Sequence, residues 1–483
     1  MSILMKRLKR WLYLGHRWLG IVTCLLFVVW FVSGVVMMYV GFPNLTEAER
    51  HRASPSLAWE RVAVSPEDAL RTVGQTRFPR ELRLAMLDRE PVYRIVGWNG
   101  AQYTVSAASG RAIAGVDADT ALAVAAHDPR AVRPHILGAL DRDQWSVTAR
   151  YDALRPFHLV ALGDPDDTRL YVSGRTGQIA LDTSGSERFW NWFGAIPHWI
   201  YVTPLRAQAE LWRDVVLWMS GVAIVVAVTG LWIGLLRMRV RRRYASGSIS
   251  PYRGWAAWHH LGGLVGGVTL VTFIASGWLS MNPNRWFGPR APTQAMLERY
   301  AGVTEPRSGM DLEQVRVAGC PALIEVRFGW LAGQPRAILS CREGPPAVCC
   351  SPEAAAADGA GARIAEAARR LLPEATITGT VMLTEEDAYW YSHHQKRILP
   401  VLRVTFDDPD ATWFHIDPVT GEVLGRADRS SRTRRWLFNA PHSFDFLFLL
   451  RWRPAWDAVM WLLSAAGLVV SVSGVVIGWR RLR

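Results

Sequence analysis

Four long apolar runs dominate this chain and limit what it can become. They cover about Trp18 to Tyr39, Trp212 to Leu236, Leu261 to Met281 and Val459 to Trp479. Each is close to the roughly 20 residues a helix needs to cross the hydrocarbon of a bilayer. Apart from Arg213 and Asp214 at the start of the second run, they hold no Asp, Glu, Lys or Arg. Backbone in lipid must satisfy its own hydrogen bonds, so each run is expected to be helical. Trp or Tyr stands at most of the ends, as interfacial anchors do. The first run is too long for a signal-peptide core and no A-x-A-like site follows it closely, so it is expected to stay as a span.

Charge gives an orientation. Lys6, Arg7, Lys9 and Arg10 precede the first run. Arg237, Arg239, Arg241, Arg242, Arg243 and Arg253 separate the second from the third. Arg480, Arg481 and Arg483 follow the fourth. These flanks contain no acids, and their cations match the whole net charge of +13. The basic balance is therefore a topology signal and not the footprint of a nucleic-acid partner. Both termini and the short middle loop are expected in the cytoplasm, with the two long segments on the other side. Cys24 lies in the first run, whereas Cys320, Cys341, Cys349 and Cys350 share the second long segment, where disulfides are permitted. Cys320 with Cys341 is the favoured pair, although spacing does not fix connectivity. No CxxCH occurs, which argues against covalent haem attachment.

The chain also reads as one unit written twice. HRWLGIV from His16 returns as HHLGGLV from His259, and Ser33-Gly34 returns as Ser276-Gly277, both 243 residues later. His198, Trp212, Thr229-Gly230 and Ile233-Gly234 return as His442, Trp456, Ser473-Gly474 and Ile477-Gly478 at an offset of 244. The long segments keep that offset too: Asp143 with Asp387, Pro156 with Pro400, and Gly177 with Gly421. Four apolar helices resemble one another by composition, but landmarks in polar segments do not, so an internal duplication is expected. Each long segment reads as α+β. Ser65 caps a helix that begins at Pro66, and a helical stretch near Ile364–Leu372 is expected in the matching place of the second half. Strand-like runs such as VYRIVGW, TRLYVSG, LPVLRVTF and TWFHIDP end in turn residues.

The expected architecture is a mainly α membrane protein, a four-transmembrane-helix bundle with two α+β outer domains. Its parts are a first span at 11–41, an outer domain at 42–196, an interfacial histidine segment at 197–211 and a second span at 212–237. A cytoplasmic loop follows at 238–254, then a third span at 255–281, a second outer domain at 282–440, a second interfacial segment at 441–455 and a fourth span at 456–480.

Three motifs carry a family likeness. H-R-W-L-G opens a span at His16, F-x-x-D-x-x-T-G runs from Phe414 to Gly421, and L-x-S-x-x-G-x-x-x-S-x-S-G begins at Leu462. In combination, over nearly the whole chain, they resemble the PepSY-associated transmembrane family. That family includes FoxB-type ferric-siderophore reductases of the bacterial inner membrane. The resemblance implies a four-helix unit carrying b-type haem, with PepSY-like periplasmic domains near an iron chelate. PepSY modules elsewhere are linked to peptidase inhibition.

Histidine at the edge of a span is costly enough to mark a site. A membrane haem needs two imidazoles facing each other across the iron, usually from different helices. His16 and His259 are repeat mates at the cytoplasmic ends of two spans, with Lys9, Arg10, Arg17 and Arg253 at hand for propionates. Adjacent helical residues point about 100° apart, so His259 and His260 cannot both face one ring. The repeat favours His259, and His260 stays open as an alternative. His198 and His442 form the second pair, beside short apolar segments that read as interfacial. His393 and His394, amid aromatics, are weaker candidates for a substrate or metal contact. His158 and His415 are expected on strands or the surface, and His51, His127 and His135 in solvated loops.

GxSxG, HExxH, P-loop and strand-linked GxGxxG patterns are absent, so electrons are expected from a quinol or a separate reductase. The leading expectation is an electron-transfer enzyme with two b haems that delivers electrons to a ferric-siderophore or other ferric chelate. The alternatives are a non-enzymatic PepSY protein that binds a peptide or protease, and a permease component for iron or siderophore.

Overall fold

The computed structural model describes residues 3–349, 360–393 and 396–483 of the chain. Its four long helices are Ile3–Met37, Ala209–Arg237, Trp255–Ser280 and Arg453–Leu482, each long and apolar enough to cross a bilayer. The first starts earlier than the apolar run, because Lys6 to Arg10 continue the same helix past its apolar part. The first helix packs on the second and the fourth, and so does the third. The first and third therefore stand diagonally across the bundle. Neighbours run antiparallel: His16, early in the first helix, lies against Gly230, late in the second. Both chain ends consequently leave the bundle at the same end.

Small residues let the helices approach. A Cβ built on Gly266 would sit 2.3 Å from the carbonyl oxygen of Ala466, and one on Gly467 would sit 2.0 Å from Phe31 Cζ. The GGLVGG run of the third helix thus serves, through Gly262 and Gly266, as a packing face for the fourth. Phe27, Phe31, Leu270 and Ile274 fill the bundle centre with Ala223, Val226 and Ala227.

Outside the bundle the described residues build three antiparallel sheets. Strands β1 (Glu81–Leu87), β2 (Glu90–Val96), β3 (Gln102–Ser106) and β4 (Ala112–Ile113) come from the first long segment. Strands β9 (Leu323–Leu331), β10 (Gln334–Cys341) and β11 (Ala347–Cys349) come from the second. They join into one seven-stranded sheet through a β1–β9 seam. The segments expected at 42–196 and 282–440 therefore share a sheet. Its register pairs Leu82 with Phe328, Arg83 with Arg327 and Leu84 with Val326. The 244-residue offset also takes Leu82 to Val326 and Leu84 to Phe328, so the seam has a local twofold centred on Arg83 and Arg327.

Like charges facing each other across a strand pair destabilise it, and here carboxylates offset them. Glu325, 1% exposed, accepts from Arg50 at 2.6 Å and Arg83 at 3.4 Å. Arg327 pairs with Glu422 and, at 3.4 Å, with Glu47. These bonds tie the first long segment to the second.

Each segment also forms a sheet of its own. One comprises β5 (His135–Leu140), β6 (Phe157–Ala161), β7 (Arg169–Ser173) and β8 (Ile179–Thr183). The other comprises β12 (Ile377–Leu383), β13 (Val401–Phe406), β14 (Trp413–Ile416) and β15 (Val423–Ala427). The turns after β7 and β14 need glycine: Gly177 and Gly421 have φ of +68° and +65°. A Cβ on Gly177 would also meet Leu87 Cδ1 at 2.3 Å. The peptide bonds before Pro156 and Pro400 are both cis.

One helix assignment is corrected. The helix that shares a core with Pro66–Thr72 is Leu312–Ala318, whose Val315 joins Leu70, Leu82 and Phe328. Ile364 and Leu371 instead pack on the second four-stranded sheet with Val404 and Phe414. Asp311, whose side chain accepts from the backbone of Glu313, starts the true counterpart. Cys320 and Cys341 are disulfide-bonded, tying the approach to β9 to the end of β10. Cys350 lies outside the described residues.

Candidate functional site

Two pairs of histidines meet inside the bundle. His16 of the first helix and His259 of the third have ring centroids 6.3 Å apart. His198 and His442, on the short helices Ala195–Trp199 and Ala440–Ser443, have centroids 6.2 Å apart. An imidazole nitrogen binds a metal at about 2.0–2.1 Å. Two such bonds, plus about 1.1 Å from nitrogen to ring centre on each side, put the centroids roughly 6.3 Å apart. Both pairs therefore have the spacing of two imidazoles on opposite sides of one metal.

The other face of each ring explains the orientation. His16 Nδ1 donates to the carbonyl of Val226 at 3.1 Å, and His259 Nδ1 to that of Val470 at 3.2 Å. His198 Nδ1 donates to Trp30 O at 3.2 Å, and His442 Nδ1 to Phe273 O at 3.1 Å. With Nδ1 carrying the proton in this network, Nε2 holds the lone pair. A second partner that fixes tautomer and ring angle is characteristic of metal-bound histidine.

All four acceptor carbonyls stand in one local pattern. Each is three residues before a Ser or Thr that is followed by Gly: Thr229-Gly230, Ser473-Gly474, Ser33-Gly34 and Ser276-Gly277. The hydroxyl turns back onto its own helix, as Ser33 does to Val29 O and Ser276 to Thr272 O. The glycine then leaves a flat notch for the ring. A Cβ would lie 3.4 Å from His198 at Gly34 and 3.2 Å from His442 at Gly277. The corresponding distances are 3.4 Å from His259 at Gly474 and 2.6 Å from His16 at Gly230. Three of the hydroxyls also reach the ring: Ser33 lies 3.1 Å from His198 Nδ1, Ser276 3.0 Å from His442 Nδ1 and Ser473 3.2 Å from His259 Nδ1. Thr229 likewise gives its hydroxyl to Val225 O and Val226 O, without a described contact to the His16 ring.

The second pair sits on turns held from the adjoining spans. Trp212 Nε1 donates to Trp199 O at 2.9 Å, and Trp456 Nε1 to Ser443 O at 2.8 Å. Ile200 and Phe444, two residues past each histidine, both take left-handed φ, at +53° and +50°. Such backbone is costly for a β-branched or bulky residue and is found where a site imposes it. Along the first helix His16 and Ser33 are 17 residues apart, as are His259 and Ser276 along the third. At about 1.5 Å per residue the two levels are about 25 Å apart, most of the hydrocarbon thickness.

The remaining histidines stand elsewhere. His260 is held at both nitrogens, by Ser250 Oγ at 2.8 Å and Gly234 O at 2.9 Å, with Tyr252 against its ring. It is not brought to the His16–His259 pair. His393 Nδ1 meets the buried Asp445 at 2.7 Å, and its ring abuts Trp456; His394 lies outside the described residues. His158 and His415 are on strands as expected, His415 stacked on Trp390 and accepting from Arg403. His51 is not in a loop but in the helix Glu47–Arg52, because Thr46 caps that segment. His135 stands on β5, and His127 bonds Asp88 at 2.9 Å.

Sequence reasoning found the four paired histidines and missed their sockets. The signal is in the sequence, where the Ser/Thr-Gly pairs recur at the repeat offset.

Fold and site together define a four-span membrane protein with α+β domains outside the bundle. Residues 13–347 match the model of the PepSY-associated TM region, and the chain belongs to that family. No curated protein matches it.

Proposed function

We propose that the chain is a haem-containing electron-transfer protein of the bacterial inner membrane, a reductase for a periplasmic ferric chelate such as a ferric siderophore. The observation that carries this reading is the pair of imidazole couples at bis-ligand spacing, one at each level of the bundle. His16 and His259 would hold one b haem at the cytoplasmic level. His198 and His442 would hold a second at the periplasmic level. A haem with two imidazole ligands supplies reversible one-electron chemistry between Fe(III) and Fe(II).

The protein's own groups do the rest. The carbonyls of Val226, Val470, Trp30 and Phe273 fix each ring's tautomer, and the glycine notches fix its depth. Phe27 and Phe31 keep the space between the levels free of water. Reduction of the chelated iron weakens its hold on hard oxygen donors, which releases Fe(II). The positive flanks support a cytoplasmic location for both termini and a periplasmic one for the sheets. Internal duplication accounts for the constant offset and for the twofold at the β1–β9 seam. A quinol or a separate reductase would supply the electrons.

The test is an optical spectrum with pyridine haemochrome quantification on wild type, His16→Ala and His198→Ala. Two haems per chain are expected in the wild type, and one fewer in each variant. A colourless protein from haem-replete cells, or identical spectra in all three, overturns the reading and leaves the membrane-anchored binding protein.

A further inference from the structure

The four histidine sockets share a carbonyl and a glycine notch, and among the described contacts a hydroxyl joins them unevenly between the levels. At the periplasmic level both histidines meet a carbonyl and a serine hydroxyl: His198 meets Trp30 O and Ser33 Oγ, and His442 meets Phe273 O and Ser276 Oγ. At the other level, among the described residues, it is His259 that meets a hydroxyl, from Ser473. His16 has the Val226 carbonyl; Thr229 bonds Val225 O and Val226 O, as the serines bond their own helices, and is not among the contacts described for the His16 ring.

The hydroxyls act as acceptors here. Ser33 Oγ donates its proton to Val29 O at 2.6 Å, Ser276 Oγ to Thr272 O at 2.7 Å, and Ser473 Oγ to Val469 O at 2.7 Å. The oxygen is then left to receive the Nδ1 proton. An imidazole whose N–H is drawn toward two acceptors is a stronger donor through its other nitrogen. A stronger axial donor stabilises ferric over ferrous iron and lowers the reduction potential; hydrogen bonding behind the ligand is one of the protein's levers on that potential.

We propose that Ser33 and Ser276 are positioning residues that hold the periplasmic-level haem at a lower potential than the carbonyls alone would, with Ser473 doing the same more weakly at the cytoplasmic level through one ligand. This rests on the haem reading above. It gives the periplasmic haem the greater reducing power, which suits an acceptor such as a tightly chelated ferric ion.

The experiment is a spectroelectrochemical titration of the purified full chain, with haem content measured on the same samples. Ser276→Ala and Ser33→Ala should each raise the midpoint of one haem and leave the other in place. Ser473→Ala should raise the other haem alone. Thr229→Ser, which gives the His16 socket the residue that the other three carry, should lower the midpoint of the haem that Ser473 touches, which a merely structural role does not require. Full haem content with unmoved midpoints in Ser33→Ala and Ser276→Ala overturns this inference and leaves the haem reading standing. Loss of haem in both variants also overturns it, since the hydroxyls would then be retaining the group and not tuning it. A wild-type chain without haem fails at the earlier step.

Discussion

Gly230 is the tightest of the four notches, which makes it the sharpest place to test the sockets. A Cβ there would stand 2.6 Å from His16 Cε1 and 3.2 Å from Nδ1, against 3.4 Å for the nearest ring atoms at Gly34 and Gly474. Carbon atoms rest comfortably at about 3.5–4.0 Å, so Gly230→Ala must move the His16 ring by about 1 Å. The Nδ1 bond to Val226 is already 3.1 Å long, and such a shift takes it past the roughly 3.2 Å upper end of ordinary N–H···O bonds. Overpacking costs about 1–3 kcal/mol, against about 1 kcal/mol that alanine gains over glycine within a helix. A net loss of about 1 kcal/mol is about a fivefold shift in an equilibrium. Haem transfer to an excess of apo-globin reads it directly. If the proposed haems are present, one of the two should leave Gly230→Ala about five times more readily than wild type, while Gly34→Ala and Gly474→Ala retain theirs. Equal retention in all three variants, or a loss from Gly34→Ala as large as from Gly230→Ala, refutes the argument that notch depth sets the site.

Four further outcomes follow from the domains outside the bundle. Glu325→Ala leaves Arg50 and Arg83 without their shared buried partner and should destabilise the fold by about 3–5 kcal/mol, seen as a lower Tm in detergent with haem content unchanged. The flanking arginines hold the Glu325 carboxyl at about 2, below its ordinary 4.5. Its contribution is therefore complete above about 4.5 and lost as pH falls toward 2, so the Tm gap between wild type and Glu325→Gln should narrow on acidification. Burial, with Arg403 alongside, pushes His415 down to about 3 from 6.5. The unfolded chain then takes up a proton that the folded chain refuses, costing stability as pH falls below 6.5, and His415→Gln should lessen the fall in Tm between pH 6.5 and 4. Reduction of Cys320–Cys341, whose partners are 21 residues apart, should cost about 3 kcal/mol; an unchanged Tm in dithiothreitol would count against a stabilising role.

The spans were legible because lipid imposes its own rule, a run of about 20 apolar residues, and lies behind all four helices. The histidine pairs were legible because a repeat offset predicts contacts that no local pattern contains. The β1–β9 seam was not. Its strands read as ordinary half-buried runs, and nothing in ELRLAML or LIEVRFGWL says that its partner lies 244 residues away. The helix Leu312–Ala318 was missed for a related reason. It is short, and its apolar residues gain meaning only against a sheet assembled from both halves. The Ser/Thr-Gly sockets were visible as letters, but their role depends on a ring arriving from another helix.

The β1–β9 seam has a mechanical consequence. Carriers that move cargo by alternating access rock one half of the molecule against the other. Here the halves are joined beyond the membrane by a backbone ladder whose centre is clamped by Glu325, so rocking would have to tear a sheet. A frame closed in this way can hold two opposing rings at constant separation while thermal motion acts on everything around them. A single electron, the cargo proposed for this chain, would pass through such a frame without moving it.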